Sequence, residues 1–179
     1  MTANRPIFVD ICWTLFYSNT TYDFLRIKGN RLNSLLYKFF GCDLVRRRAI
    51  RKFNALSPDE QRTRAERFYA EYLVPRKIDE VWRRIEGRDI ILVSQTMDVI
   101  VQVVAEKVGA KAYFATQKKE EVLAHYTDFD IITDNLSDLA IIEQAHEATV
   151  VTYNNRSRWE RILPRDKQVN FIDTGRNKY

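Results

Sequence analysis

Six short apolar runs punctuate the chain, at Ile7–Asp10, Ile90–Ser94, Ala112–Phe114, Asp130–Thr133, Thr149–Tyr153 and Val169–Ile172. Most are continuously apolar instead of alternating, the pattern of strands buried on both faces of a parallel sheet. Helical periodicity lies between them. In Met97–Val108 the residues Ile100, Val104 and Val108 recur at i, i+4 and i+8, and Gly109 supplies a C-terminal stop. A second helix is predicted over Ser137–His146. From residue 87 onward strand and helix alternate, which predicts an α/β unit with a Rossmann-like, doubly wound parallel sheet.

The stretch between Asp10 and Ile90 breaks this rhythm and reads as helices over Tyr22–Phe40, Leu44–Asn54 and Ser57–Tyr72. Ser57-Pro58-Asp59-Glu60 opens the third with serine as N-cap, proline at the first helical position and glutamate three residues after the cap. Residues 1–22 and 87–179 are therefore expected to form the core, with 23–86 a small helical cap inserted after the first strand. The sequence contains no internal repeat and no low-complexity segment.

With 179 residues, 45% hydrophobic and 30% charged, the chain has the makeup of one soluble globular unit. No run approaches the roughly 18 apolar residues of a membrane span, and MTANRPIFVD has no secretory pattern. Two cysteines, Cys12 and Cys42, are too few for a disulfide framework, so a cytoplasmic protein with free thiols is expected. The net charge, 29 − 24 = +5, matters only where it is concentrated. The densest basic cluster is Arg46-Arg47-Arg48-Ala49-Ile50-Arg51-Lys52, near Tyr37, Phe39, Phe40 and Phe53. The favoured reading is a solvated face of the cap over core aromatics; the sharper one is a peripheral patch for an anionic membrane or a large phosphorylated substrate. Nucleic acid is disfavoured, because no recognised binding motif accompanies the charge.

Ligands of open parallel sheets bind beyond the carboxyl ends of the strands. Those ends carry Asp10-Ile11-Cys12-Trp13-Thr14-Leu15, Ser94-Gln95-Thr96 and Thr133-Asp134-Asn135-Leu136-Ser137-Asp138, while Lys118 and Lys119 precede the helix leading to the fourth strand. Crowded carboxylates repel one another, and a hard divalent cation such as Mg²⁺ together with a lysine would compensate them. A phosphorylated small molecule is the substrate that fits such a site.

These four motifs, in this order, resemble those of the haloacid dehalogenase superfamily, and most closely its phosphoserine phosphatase-like branch, which carries a helical cap in the same place. The resemblance covers nearly the whole chain and implies an Mg²⁺-dependent phosphomonoester hydrolase. It implies that Asp10 is the nucleophile that forms an aspartyl-phosphate, that Thr14 holds the motif turn, and that Ser94 hydrogen-bonds the phosphoryl oxygens. Lys119 would neutralise nucleophile and phosphate, and is preferred to Lys118 because relatives place a leucine four residues on, as Leu123 is here. Mg²⁺ would be held by Asp10, the carbonyl of Cys12 and Asp134, with Asp138 binding the ion's water shell or orienting the lysine.

The chain departs from the family pattern at Cys12, where phosphatases have the aspartate that acts as general acid and then base. A thiol is a weak donor with a pKa near 8.5, and positioned acid–base catalysis is worth about 10²- to 10⁴-fold, so turnover should suffer. Trp13 also replaces a small residue. A catalytically impaired binding or regulatory protein is the alternative, and carbon–halogen hydrolysis by the same nucleophile is third, disfavoured by the retained acidic motif. Phosphoserine itself is disfavoured, since Tyr17–Asp23 lacks a glutamate for the substrate ammonium. Cys42 with Arg48 matches thiol-phosphatase spacing but follows a helix and has no glycine, and reads as coincidence. His125 and His146 read as surface or structural residues.

Overall fold

The computed structural model describes residues 5–27 and 42–178. Its centre is one six-stranded, all-parallel sheet in the order β3-β2-β1-β4-β5-β6, formed by β1 (Ile7–Val9), β2 (Ile90–Ser94), β3 (Ala112–Ala115), β4 (Asp130–Thr133), β5 (Ala148–Thr152) and β6 (Val169–Asp173). This is the doubly wound order that the strand–helix alternation implies. All six predicted strands form, and β5 starts and ends one residue earlier than its apolar run.

The short central strand is flanked on both sides in matching register: Ile7 pairs with Ile90 of β2 and with Asp130 of β4. Successive side chains point to opposite faces, so each face acquires its own core. Ile7, Val9, Ile90 and Leu92 join the helix Asp98–Val108 on one side. Phe8, Ile91, Val93, Ile131 and Val150 pack with Leu123, Ile142 and the fully buried Trp159 on the other. Continuous apolarity in the strands is thus the direct result of covering both faces. Gly109, in left-handed geometry at φ 66°, ends Asp98–Val108 as its position in the sequence implies.

Among the described residues the long connection from β1 to β2 is helical: Thr20–Phe24, Cys42–Asn54, Pro58–Phe68 and Asp79–Ile85. The Ser57 capping box forms in full, with the serine hydroxyl facing the amide of Glu60 and the glutamate carboxylate accepting from the amide of Ser57. The expected Tyr22–Phe40 helix starts two residues earlier than periodicity implied and ends within two turns. It runs from Thr20 to Phe24 and stops at Leu25, after which Arg26 turns left-handed at φ 50°; residues 28–40 lie outside the described residues. The expected Ser57–Tyr72 helix is α-helical to Phe68 and continues as a wider π turn over Tyr69–Leu73, which ends at a 3₁₀ turn containing Pro75. The predicted Ser137–His146 helix begins as a 3₁₀ turn over Leu136–Asp138 and is α-helical only from Leu139 to Gln144. Asp79–Ile85 and Arg156–Ile162 form helices too short to have stood out by periodicity.

The insertion is not a detached lobe. Ala65, Tyr69, Leu73, Ile78, Val81 and Ile85 enter the same hydrophobic cluster as β1 and β2. Arg62 adds a bidentate pair to Glu106 on the Asp98–Val108 helix, at 2.9 and 2.5 Å. No helix among the described residues is long and apolar enough to cross a membrane.

Candidate active site

In a sheet of order 3-2-1-4-5-6 the crevice opens where the winding reverses, between β1 and β4. Asp10 follows β1 there and Asp134 follows β4, so the two motifs that are 124 residues apart become neighbours through strand pairing alone. A cavity of about 350 Å³ lies over these ends, lined among others by Asp10, Cys12, Ser94, Lys119, Asp134 and Asp138. A larger hollow of about 880 Å³ lies within the inserted segment, between Phe24, Phe53 and Phe68, and is lined by none of the motif residues.

Charge is arranged tightly around one ammonium. Lys119 Nζ donates to Asp10 Oδ2 at 2.7 Å and to Asp138 Oδ2 at 2.6 Å, while the Thr133 hydroxyl donates to the same Asp138 oxygen at 2.6 Å. Burial alone would push the lysine down, but Asp10 and Asp138 more than reverse it and hold the ammonium charged. Lys119 is the first residue of the short helix Lys119–Leu123 and points inward; Lys118, its N-cap, is exposed and pairs with Glu121 at 3.5 Å. The structure therefore brings Lys119, and not Lys118, to Asp10. The backbone amide of Ile11 donates to Asp10 Oδ1 at 2.6 Å, fixing the orientation of that carboxylate.

Asp134 is the second anchor. Its Oδ1 accepts from the Thr14 hydroxyl at 3.0 Å and its Oδ2 is ion-paired with Lys178. Burial, helped by the charge of Asp10, raises its pKa to about 6, with Lys178 and Thr14 opposing. Thr14 thus does more than shape its own turn: it ties the first motif to the fourth.

The Cys12 thiol lies 2.9 Å from the Thr20 hydroxyl, which itself donates to Thr96 at 2.7 Å. A hydroxyl has a single proton, so with that proton given to Thr96 the thiol must be the donor to Thr20. Burial and the nearby Asp10 charge push the thiol up to about 11 despite the Thr20 contact. Cys12 is a neutral group whose proton is engaged by Thr20. Trp13 beside it sits at φ 57°, a conformation a bulky side chain rarely adopts. It is held there by the Ser18 carbonyl on its amide at 3.1 Å and the Tyr153 hydroxyl on its carbonyl at 2.7 Å.

The donor set suits Mg²⁺, a hard cation that takes carboxylate and carbonyl oxygens and keeps several waters. Asp10 is half-buried and Asp134 buried, each charge felt by the other, and among the described residues Asp134 Oδ2 faces the Lys178 ammonium. Asp138 is committed to Lys119 and Thr133, which favours orienting the lysine over reaching the ion. No group of three or more histidine, cysteine or acidic side chains forms a metal cage among the described residues. Among the described residues, Asp10 and Asp134 are the carboxylates that could hold the ion.

Several residues in this arrangement carried no sequence signal that singled them out. Thr133, Thr20, Thr96 and Tyr153 are ordinary polar residues near strand or helix ends, and Lys178 lies far from every motif. Arg46 belonged to a cluster read as one solvated face. The structure splits that cluster: Arg46 lines the cavity over the strand ends, Arg47 is exposed, and Arg48 lines the larger hollow. Phe53 packs edge-on against Phe24 as a core aromatic, while Tyr37, Phe39 and Phe40 lie outside the described residues. The Cys42 side chain is also outside them. His125 and His146 are exposed and outside the cavity.

Two outcomes follow from this electrostatics. Lys119→Met leaves two buried carboxylates without their cation and should cost about 3–5 kcal/mol in urea unfolding, part of which Lys119→Met/Asp138→Asn should restore. In metal-free protein the folded chain binds a proton on Asp134 between pH 3.8 and about 6 that the unfolded chain has released. Its contribution to stability therefore falls as pH rises through that window. The difference in unfolding free energy between wild type and Asp134→Asn should decline from pH 4 to 6 and level off above; a difference independent of pH would rule this out.

No protein-family model matches the sequence, and no curated protein matches it. Solved structures do. A protein with unknown function from Bordetella pertussis Tohama I aligns over 94% of this chain and 99% of its own, with a TM-score of 0.69 and 16% identity. Phosphoserine phosphatase in apo form aligns over 83% and 86%, with a TM-score of 0.51 and 16% identity. Cytosolic 5'-nucleotidase IIIB bound to cytidine aligns over 95% and 81%, with a TM-score of 0.53 and 8% identity. At such identities the likeness is one of fold: this chain has the same α/β fold as phosphoserine phosphatase and cytosolic 5'-nucleotidase IIIB.

Proposed function

We propose that this protein is an Mg²⁺-dependent phosphomonoester hydrolase that works through an aspartyl-phosphate on Asp10. The observation that carries the reading is the Asp10–Lys119–Asp138 arrangement at the topological switch point, with Asp134 alongside in the same cavity. The Asp10 carboxylate, oriented by Ile11 and Lys119, attacks phosphorus; the ester P–O bond breaks and the leaving oxygen departs as an alkoxide or phenoxide. Water then attacks the acyl phosphate, inorganic phosphate leaves, and the carboxylate is regenerated. Mg²⁺, held by Asp10, Asp134 and the Cys12 carbonyl, would supply positive charge to the phosphoryl oxygens. Ser94 at the end of β2 and the Lys119 ammonium would bind the same oxygens.

The substrate is a small phosphorylated metabolite. A cavity of about 350 Å³ admits little more, and Arg46, reaching in from the cap with its Nε buried and without a hydrogen-bond partner among the described residues, adds a preference for anions. The basic cap does not act as a membrane patch in this reading, because its arginines are divided between two cavities and solvent. A second reading, a binding protein with little turnover, is favoured by Cys12 alone, whose proton is directed to Thr20 and whose thiol is far too weak an acid for the leaving group.

Steady-state hydrolysis of one aryl and one alkyl phosphate separates the two readings. Wild type should hydrolyse the aryl ester, whose leaving group needs little protonation, and the alkyl ester far more slowly. Asp10→Asn should abolish both activities. Cys12→Asp should recover part of the roughly 10²- to 10⁴-fold that acid–base catalysis provides, with the larger gain on the alkyl ester. A folded Cys12→Asp protein no faster on either ester would leave the binding protein as the better account.

A further inference from the structure

The segment after β6 enters the active site along a built path. Thr174 donates through both its amide, at 3.1 Å, and its hydroxyl, at 2.9 Å, to the Thr152 carbonyl at the end of β5. Gly175 then turns left-handed at φ 64°, and the amide of Arg176 returns to the Thr174 hydroxyl at 3.3 Å. The Arg176 guanidinium lies 4.1 Å over the Tyr17 ring, and Asn177 accepts from Asn154 at 2.8 Å. The next residue is Lys178, whose ammonium lines the catalytic cavity and pairs with Asp134 Oδ2. Three successive attachments before one ion pair, half-buried at Lys178 and buried at Asp134, aim this lysine at the acidic site.

Asp134 has two oxygens with different partners. Oδ1 is engaged by Thr14, and Oδ2, on a side chain only 3% exposed, faces Lys178. A divalent cation bound to Asp134 would take the oxygen that Lys178 now holds. Mg²⁺ sits about 2.0–2.1 Å from its oxygen ligands, so an ammonium on the same oxygen would lie within a few ångströms of a dication. In a buried site that repulsion is poorly screened, and the two cations become alternatives.

We propose that Lys178 is an intramolecular competitor of the divalent cation: the segment after β6 holds its ammonium on Asp134, and metal binds only when the lysine withdraws. The inference rests on the metal-assisted reading above and adds a regulatory element to that site. Anything that displaces residues 174–178 would raise metal affinity, and anything that fixes them would lower it.

Mg²⁺ titration of the full chain by calorimetry tests this without recourse to activity. Lys178→Met should bind Mg²⁺ at least about tenfold more tightly than wild type, since one buried like charge is removed from the ion's neighbourhood. Arg176→Ser, which releases the segment from Tyr17, should fall between them. Asp134→Asn/Lys178→Met should lose the tight binding; if it keeps it, the ion is bound elsewhere and the proposal is wrong. Equal or weaker binding by Lys178→Met, with wild type binding normally, overturns the competition while leaving the metal-assisted hydrolase intact. No binding by either protein removes the metal site and the proposal with it.

Discussion

The Lys119 ammonium is the contact on which the rest of the site depends. It joins Asp10 at the end of β1 to Asp138 beyond β4, and it comes from a third element, the short helix after β3. Three carboxylates gathered at one sheet edge would otherwise repel one another in a poorly solvated place. A single buried cation offsets part of that repulsion, and Lys178 offsets more on Asp134. The opposite edge of the sheet has a simpler device: Asp130, at the start of β4, is buried against Arg88 at 2.5 Å and accepts from the amide of Glu147 at 3.0 Å. There Asp130 is matched by partners within the chain, Arg88, Arg5 and the amide of Glu147.

Beside this charged centre a polar relay starts at Cys12. Cys12, Thr20, Thr96 and Thr21 pass hydrogen bonds into the insertion and toward the turn after β2. The relay stabilises the junction between the first motif and the inserted helices, yet it consumes the thiol proton that a leaving group would need. Trp13 reinforces the same junction. Its left-handed backbone is of the kind that costs about 1–3 kcal/mol, and the Tyr153 hydroxyl and ring offset that strain from β5's far end. Position 12 and position 13 are therefore two parts of one local solution that makes the backbone next to Asp10 rigid.

Much of the architecture could be read directly from the sequence, because its signals are local. Continuous apolar runs mark strands covered on both faces, Gly109 marks a helix end, and Ser57-Pro58-Asp59-Glu60 carries its whole hydrogen-bonding scheme within four residues. The helix boundaries that differed, at Phe24, Phe68 and Leu139, depend instead on how the inserted segment packs against the sheet, as with Tyr69 and Leu73 turning together into the core.

The same division holds for the site. The sequence alone identified the polar residues at the strand ends, since strand order places Asp10, Ser94 and Asp134 on one edge whatever the side chains do. It could not assign partners. That Lys119 and not Lys118 turns inward, that Thr14 reaches Asp134, and that the Cys12 proton goes to Thr20 are decided by side-chain directions in a folded interior. Lys178 is the extreme case: it lies 44 residues beyond Asp134 in a polar stretch of no distinctive pattern, and only the pairing of β5 with β6 carries it back over the carboxyl edge of the sheet. Local sequence fixes which elements form and which ends are polar, while contacts between distant segments, which have no period to betray them, exist only once the sheet is assembled.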